Sequence, residues 1–285
     1  MRVVVLGARG QLGTDIVLHC SAAGDDVLAL GHDELDITNA AEVSDVLAAF
    51  RPGLVINCAA WTAVDACEGA PDRADAVNAV GAAHVAHATA QLGAHLVHLS
   101  TDYVFDGRLD RPYREDDPAN PLGAYGRSKL AGEVAVRALS PDATVVRTSW
   151  VCGEHGANMV KTALALAAQG RDLRFVDDQR GCPTFTSDLA PLVRHLGCEQ
   201  IGGTVHATNQ RAVSWYDFVR EILECAGEDP SRVSPISTDE LQPPRPAPRP
   251  ANSVLDNMVL RSLGIPLLPD FRQPLERLVR VLGRQ

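Results

Sequence analysis

Tyr125 and Lys129 stand four residues apart in Tyr-Gly-Arg-Ser-Lys, so on a helix they share one face. A phenol beside an ammonium is the pair needed to hand a proton to a carbonyl oxygen. The chain has four tyrosines and only two lysines, Lys129 and Lys161. Composition alone would produce about 0.03 such spacings by chance. Upstream, an apolar run ends in Ser100-Thr101-Asp102-Tyr103-Val104-Phe105-Asp106-Gly107. The Thr101 hydroxyl, at the end of that run, can hydrogen-bond a substrate carbonyl.

The elements that must position these groups begin at residue 2. A β-branched run at 2–6 meets Gly7-Ala8-Arg9-Gly10-Gln11-Leu12-Gly13 and then a helical stretch at 14–23. Glycines in such a turn let the backbone approach a pyrophosphate, and free N–H groups at the helix start favour its charge. With 23 glycines in the chain, the spacing arises by chance about 0.15 times, so its place between strand and helix carries the argument. A second strand at 27–30 is followed by Gly31, His32 and Asp33. A dinucleotide-binding fold usually places an acid at the end of this strand for the adenosine ribose. The missing acid, with Arg9 in the glycine turn, leans towards the 2′-phosphate of NADP; an Arg9 that is merely exposed is the alternative.

A helix ending at Phe50 takes Thr38 or Asn39 as its cap. A third strand at 54–57 ends in Cys58-Ala59-Ala60-Trp61-Thr62-Ala63-Val64-Asp65. Small residues there suit a loop passing close to a cofactor, or equally a tightly packed turn. One long helix at 71–92 and strands at 94–99 and 143–148 complete a β-α-β series. That series predicts a parallel sheet with right-handed crossovers. The second half is less regular, with helices at 158–170, 187–196 and 214–226 and short strands at 175–178 and 204–206. Residues 228–250 are proline-rich and read as an extended lobe segment. An amphipathic helix at 271–282 closes the chain. Arg249 and Asn252 lie where a guanidinium could fork onto a substrate diphosphate, or simply face solvent.

The 285 residues are 46% hydrophobic, enough for one large domain or a main domain with a smaller partner. A net charge of −10 with dispersed basic residues argues against a nucleic-acid surface. No charged-apolar-small leader opens the sequence, and no apolar segment reaches about 18 residues, so no membrane partner and a cytoplasmic location are expected. Seven cysteines form no Cys-x-x-Cys, and His84 and His87 are read as structural; no metal site is expected.

Together these residues resemble the extended short-chain dehydrogenase/reductase superfamily and, more narrowly, the dTDP-4-dehydrorhamnose reductase family, which completes dTDP-L-rhamnose synthesis. The narrower likeness rests on Gly-x-x-Gly-Gln-Leu-Gly at 7–13, Ala63-Val64-Asp65, Ser100 to Gly107, Tyr125 to Glu133, Arg147-Thr148-Ser149-Trp150-Val151, Asp178-Gln179 with Gly181-Cys182-Pro183-Thr184, and Arg249-Pro250 with Asn252-Ser253. It spans nearly the whole chain.

The resemblance implies an α/β protein: a Rossmann-type doubly wound parallel sheet with a smaller, mostly C-terminal substrate lobe. Residues 1–149, with 184–207 returning, would hold the cofactor, and 150–285 mostly the nucleotide-sugar. By position, Gly7, Gly10, Gln11, Leu12 and Gly13 would face the pyrophosphate. Asp36 and Ile37 would face the adenine, and Ala59, Ala60, Trp61 and Thr62 the middle of the dinucleotide. Thr101, Tyr125 and Lys129 form the implied catalytic set. Asp102, Tyr103 and Trp150 fall on the sugar side, with Tyr103 and Trp150 open between pocket wall and core. Gly31 departs from the acid that the family often carries. NADPH is therefore the expected cofactor and NADH the alternative. Some members dimerise around Mg²⁺, but no isolated metal constellation is seen here, and monomer and homodimer both stay open.

The implied reaction is hydride delivery to C4 of dTDP-4-dehydro-6-deoxy-L-mannose, with Tyr125 donating the proton. Lys129 would lower the phenol pKa and hold the nicotinamide ribose, and Thr101 would orient the carbonyl. Two alternatives remain: reduction of another dTDP-4-keto-6-deoxysugar, or a non-catalytic NADP-binding subunit like the regulatory subunit of methionine adenosyltransferase.

Overall fold

A computed structural model describes residues 1–283; Arg284 and Gln285, the end of the expected 150–285 lobe, lie outside the described residues. Strands and helices alternate through the first half: β1 (Arg2–Leu6), α1 (Gln11–Ala22), β2 (Asp26–Leu30), α2 (Ala40–Phe50), β3 (Leu54–Asn57), α3 (Val64–Gly69) and α4 (Pro71–Asp75). A π-helical segment (Ala76–Gly81) leads into α5 (Ala82–Gln91), followed by β4 (His95–Thr101), α6 (Ala124–Leu139) and β5 (Thr144–Thr148). Next come β6 (Val151–Cys152), α7 (Met159–Ala167), β7 (Leu173–Val176), β8 (Arg180–Gly181), β9 (Thr184–Phe185) and α8 (Thr186–Cys198). The chain closes through β10 (Gly203–His206), β11 (Val213–Ser214), α9 (Trp215–Cys225), β12 (Val233–Ile236), α10 (Met258–Ser262) and α11 (Arg272–Leu282).

Six strands form one parallel sheet in the order β10-β5-β4-β3-β1-β2. The chain winds outwards from β1 to β2 and then, through β3, in the opposite direction. This switch opens a crevice outside the carboxyl ends of β1 and β3. Helices cover both faces. α1 and α8 pack through Ile16, Leu189 and Val193 against Val3, Val5 and Ile56, while α2, α5 and α6 bring Leu47, Val85 and Val136 to Val4, Val55 and Leu96. Burial on both sides is why Val3 to Leu6 of β1 are all apolar rather than alternating. A third core joins α7, α9 and α11 around Val160, Phe218, Phe271 and Leu275, forming the smaller C-terminal lobe. Among the described residues no helix is long and apolar enough to cross a membrane.

Local signals hold at several boundaries. Asn39 caps α2 by accepting from Ala41 and Glu42, and Ser214 caps α9 by accepting from Asp217. Other boundaries differ from the expectation. α1 starts at Gln11 rather than Thr14, so the glycine turn itself forms the helix start. The stretch expected as one helix at 71–92 contains the π-helical segment, placing the Asn78 carbonyl where a Cβ on Gly132 of α6 would stand only 2.2 Å away. Residues 58–65, expected as loop, run into α3. Within 228–250, β12 pairs in parallel with β7. α10 was not expected.

Candidate active site

The carboxyl ends of β1, β3, β4 and β5 converge on a cavity of about 490 Å³. One wall of it is the glycine turn. Gly7 has φ of 72°, and a Cβ on it would stand 2.7 Å from the Ala59 nitrogen, so only glycine lets the turn lie against the end of β3. Gly10 is the α1 N-cap without a side-chain cap, and no acid occupies the first turn. The first N–H groups of this 12-residue helix therefore lack a side-chain acceptor where Gly10, Gln11 and Leu12 line the cavity. An anionic pyrophosphate fits such an end.

Thr101, Tyr125 and Lys129 line the same cavity. Thr101 ends β4; its Oγ1 donates to Asp102 Oδ1 at 3.0 Å and accepts from the Tyr103 N–H at 3.2 Å. Tyr125 packs edge-on against Tyr103, ring centres 5.7 Å apart at 77°. Burial pushes the Tyr125 phenol up, partly offset by the Thr101 hydroxyl. This corrects the expectation that Lys129 sets the phenol lower: here desolvation of the phenolate dominates. Lys129 is itself buried and its Nζ donates to the Leu99 carbonyl at 2.6 Å. Burial brings the ammonium down to about 8, with Glu133 pulling the other way.

Two networks hold this geometry. Glu133, one turn beyond Lys129, accepts from Ser100 Oγ at 2.6 Å and from Arg147 Nε and Nη2 at 2.9 and 2.7 Å. Burial alone would raise the Glu133 carboxyl, but the Arg147 guanidinium holds it low. Asn78, in the π-helical segment, accepts from the Trp61 N–H at 2.7 Å and donates to the Trp61 carbonyl and to Ser128 Oγ. It thereby ties the loop after β3 to α6. Its side chain is buried by a helix irregularity that hydrophobic periodicity does not register.

Asp102 also lines the cavity and is 3% exposed; its Oδ2 makes no hydrogen bond of good geometry, although the nearby Ser253 hydroxyl favours the carboxylate. Burial raises its carboxyl to about 6. Tyr103 lines the cavity, and burial pushes its phenol up to about 12. Trp150 sits at φ of 46°, a left-handed backbone rare for so bulky a residue, and its indole stacks on Trp215 at 3.5 Å and 6°. A Cβ on Gly181 would stand 2.5 Å from Trp150 Cε2, so that glycine leaves room for the indole. Cys58, Ser149 and Trp215 also line the cavity, and the sequence reading missed all three as site residues. Trp215, opening an amphipathic helix after a serine cap, resembled any core aromatic.

Several expected residues lie elsewhere. Ala60, Thr62 and Gly13 line the cavity, whereas Ala59 and Trp61 are not among its lining residues: the Ala59 N–H donates to Asn57 Oδ1 and Trp61 packs against the cluster of Cys67, Ala74 and Ala124. Asp36 accepts from the Thr38 N–H and Oγ1, Ile37 is buried in the face packed by α2 and α5, and neither is among the residues lining this cavity. Arg9 pairs with Glu34. The Arg249 fork, read as open to a diphosphate, is closed onto Asp65, with Nη1 and Nη2 donating at 2.6 and 2.7 Å. Asn252 Nδ2 donates to the Leu109 and Arg111 carbonyls. Arg249 Nε is buried without a hydrogen-bond partner, while the other donors of both side chains hold loops. Among the described residues no group of three or more His, Cys, Asp or Glu could hold a metal ion.

A family model described as the RmlD substrate binding domain matches residues 1–283. The chain is 44% identical to the dTDP-4-dehydrorhamnose reductase of Streptomyces griseus, over 96% of this chain and 91% of that one. It is also 44% identical to a probable dTDP-4,6-dihydroxy-2-methyloxan-3-one 4-ketoreductase of Streptomyces antibioticus, over 96% and 93%. A crystal structure of the Bacillus anthracis dTDP-4-dehydrorhamnose reductase in complex with NADP superposes with a TM-score of 0.94 at 38% identity, covering 97% of this chain and 98% of that one.

Proposed function

Because the chain belongs to the dTDP-4-dehydrorhamnose reductase family, we propose that it reduces the C4 keto group of dTDP-4-dehydro-6-deoxy-L-mannose to give dTDP-L-rhamnose, with NADPH as the reductant. The observation that carries this reading is the convergence of Thr101, Tyr125 and Lys129 on the cavity that the uncapped start of α1 also faces. Residues 1–149, with 184–207, hold the cofactor, and the C-terminal lobe holds the nucleotide-sugar.

A bound reduced nicotinamide supplies the hydride that C4 accepts. Tyr125 donates its proton to the oxygen developing at C4, and Thr101 orients that oxygen beforehand. The phenolate left behind in a buried site is costly, and the Lys129 charge in the same cavity offsets part of that cost. Asp102, with an unpartnered oxygen, accepts from a sugar hydroxyl. Trp150, braced by Trp215, provides a flat apolar wall for the ring. Seven free cysteines suit a reducing, cytoplasmic setting.

The rival reading, reduction of a different dTDP-4-keto-6-deoxysugar, draws support from the equal identity to the Streptomyces antibioticus 4-ketoreductase. Purified protein supplied with dTDP-4-keto-6-deoxy-L-mannose and NADPH decides the matter. Loss of reduced-nicotinamide absorbance with dTDP-L-rhamnose as product is expected. Absence of turnover there, with turnover on another 4-keto-6-deoxysugar, selects the rival. No turnover on either would return the chain to a binding role.

A further inference from the structure

The end of β2 carries Gly31 where dinucleotide-binding folds commonly place the acid that holds the adenosine ribose. The volume a side chain would fill there is already taken. A Cβ on Gly31 would stand 2.8 Å from Glu34 Oε2 and 2.9 Å from Arg9 Cδ. Glu34 Oε2 accepts from the Gly31 N–H at 2.9 Å and from Arg9 Nε at 3.2 Å, while Oε1 accepts from Arg9 Nη2. A carboxylate is thus delivered to the strand end from three residues further on, and an arginine from the glycine turn closes over it.

We infer that the Arg9–Glu34 pair selects the cofactor by its adenosine 2′ substituent, with Glu34 the residue that opposes NADPH. The inference rests on the reading of this site as a nicotinamide-dinucleotide site. Glu34, anchored by the Gly31 N–H, accepts a hydrogen bond from the free 2′-hydroxyl of NADH without any rearrangement. A 2′-phosphate instead brings close to two negative charges beside that carboxylate. It is accommodated when Arg9 turns from Glu34 to fork onto the phosphate. Arg9 is 71% exposed and Glu34 33%, and an ion pair this exposed is weakly held, so Arg9 can exchange partners at little cost. The preference between the two cofactors is then a balance between one cation and one anion on the same patch.

Dissociation constants for NADPH and NADH, read from reduced-nicotinamide fluorescence without any sugar present, test this. Glu34→Gln removes the opposing charge and weakens the acceptor, so the ratio of the NADH constant to the NADPH constant is expected to rise about tenfold. Arg9→Ala leaves Glu34 facing the phosphate alone, so NADPH should bind about tenfold more weakly while NADH changes less than about threefold. Raising the salt concentration should weaken NADPH binding in the natural protein and much less in Arg9→Ala. If the natural protein binds both cofactors and Glu34→Gln leaves their ratio unchanged, the selector role is wrong while the cofactor site stands. If the natural protein binds neither, the cofactor reading falls and the selector with it.

Discussion

Lys129 Nζ donates a 2.6 Å hydrogen bond to the main-chain oxygen of Leu99, two residues before Thr101. α6 is thereby pinned to the end of β4, and the ammonium and the Thr101 hydroxyl face one cavity from adjoining elements. Burial holds the ammonium to about 8, against an ordinary value of 10.5.

The pH dependence follows from that value. The working form carries the charge, so kcat/KM for the keto-sugar should fall as pH rises through about 8. Between about 8 and 10.5 the unfolded chain binds the proton that the folded one has released, so this group makes stability rise with pH across that window. Below it the buried charge is a cost. Lys129→Met should abolish turnover, remove the rise, and stabilise the protein near neutrality by about 1 kcal/mol or more. Chemical denaturation at several pH values reads it; a variant less stable than the parent at pH 7 contradicts the argument.

Tyr125→Phe keeps a ring of the same shape for the edge-on contact with Tyr103, so the fold should be unaffected. Turnover should drop by about 10²–10⁴, the usual contribution of a positioned proton donor. Cofactor affinity should stay within about twofold. Steady-state rates and a cofactor titration on the same preparation check both, and retained turnover would assign the proton to another group.

What could be read in advance is what short-range chemistry fixes. The spacing of Tyr125 and Lys129 on one helix face, the glycines of the first turn and the apolar strands of a sheet buried on both faces each depend on neighbours in the chain. The features missed depend either on contacts between distant residues or on local irregularities that a regular pattern does not show. The Arg249 fork looked available because its partner, Asp65, lies 184 residues away. Trp215 gained its place only by stacking on Trp150. Gly31 suggested a missing acid because Glu34 reaches back through a turn whose geometry spacing does not display. Asn78 depended on an irregular helical segment, and apolar period alone predicts a regular one.

Glu133 and Arg147 form a buried pair, with side-chain exposures of 0% and 5%. Removing one charge strands the other. Glu133→Gln should cost about 3–5 kcal/mol, and part of that should return in the double variant with Arg147→Met, which removes the stranded guanidinium but leaves the buried Lys129 charge without Glu133. Ser100→Ala, removing one of several bonds to the carboxylate, should cost only about 1–2 kcal/mol. Because Glu133 also supports the Lys129 charge, the alkaline limb of kcat/KM in Glu133→Gln should move to lower pH. An unmoved limb would confine Glu133 to a purely structural part.

Asp102 carries the opposite sign. Burial raises its carboxyl from 3.8 to about 6, so between those values the folded protein holds a proton that the unfolded chain has lost. Stability from this group therefore declines as pH rises from about 4 to 6 and stays reduced above. Asp102→Asn removes the ionised oxygen, Oδ2, that lacks a partner, and should stabilise the protein at pH 7 while leaving it nearly unchanged at pH 4. If the carboxylate also receives a sugar hydroxyl, the same variant should raise KM for the dTDP-sugar about tenfold or more and leave that for NADPH within about twofold. Stabilisation without any change in sugar KM would make Asp102 a strained bystander. A rise in both KM values would instead indicate that the turn after Thr101 has shifted the whole site.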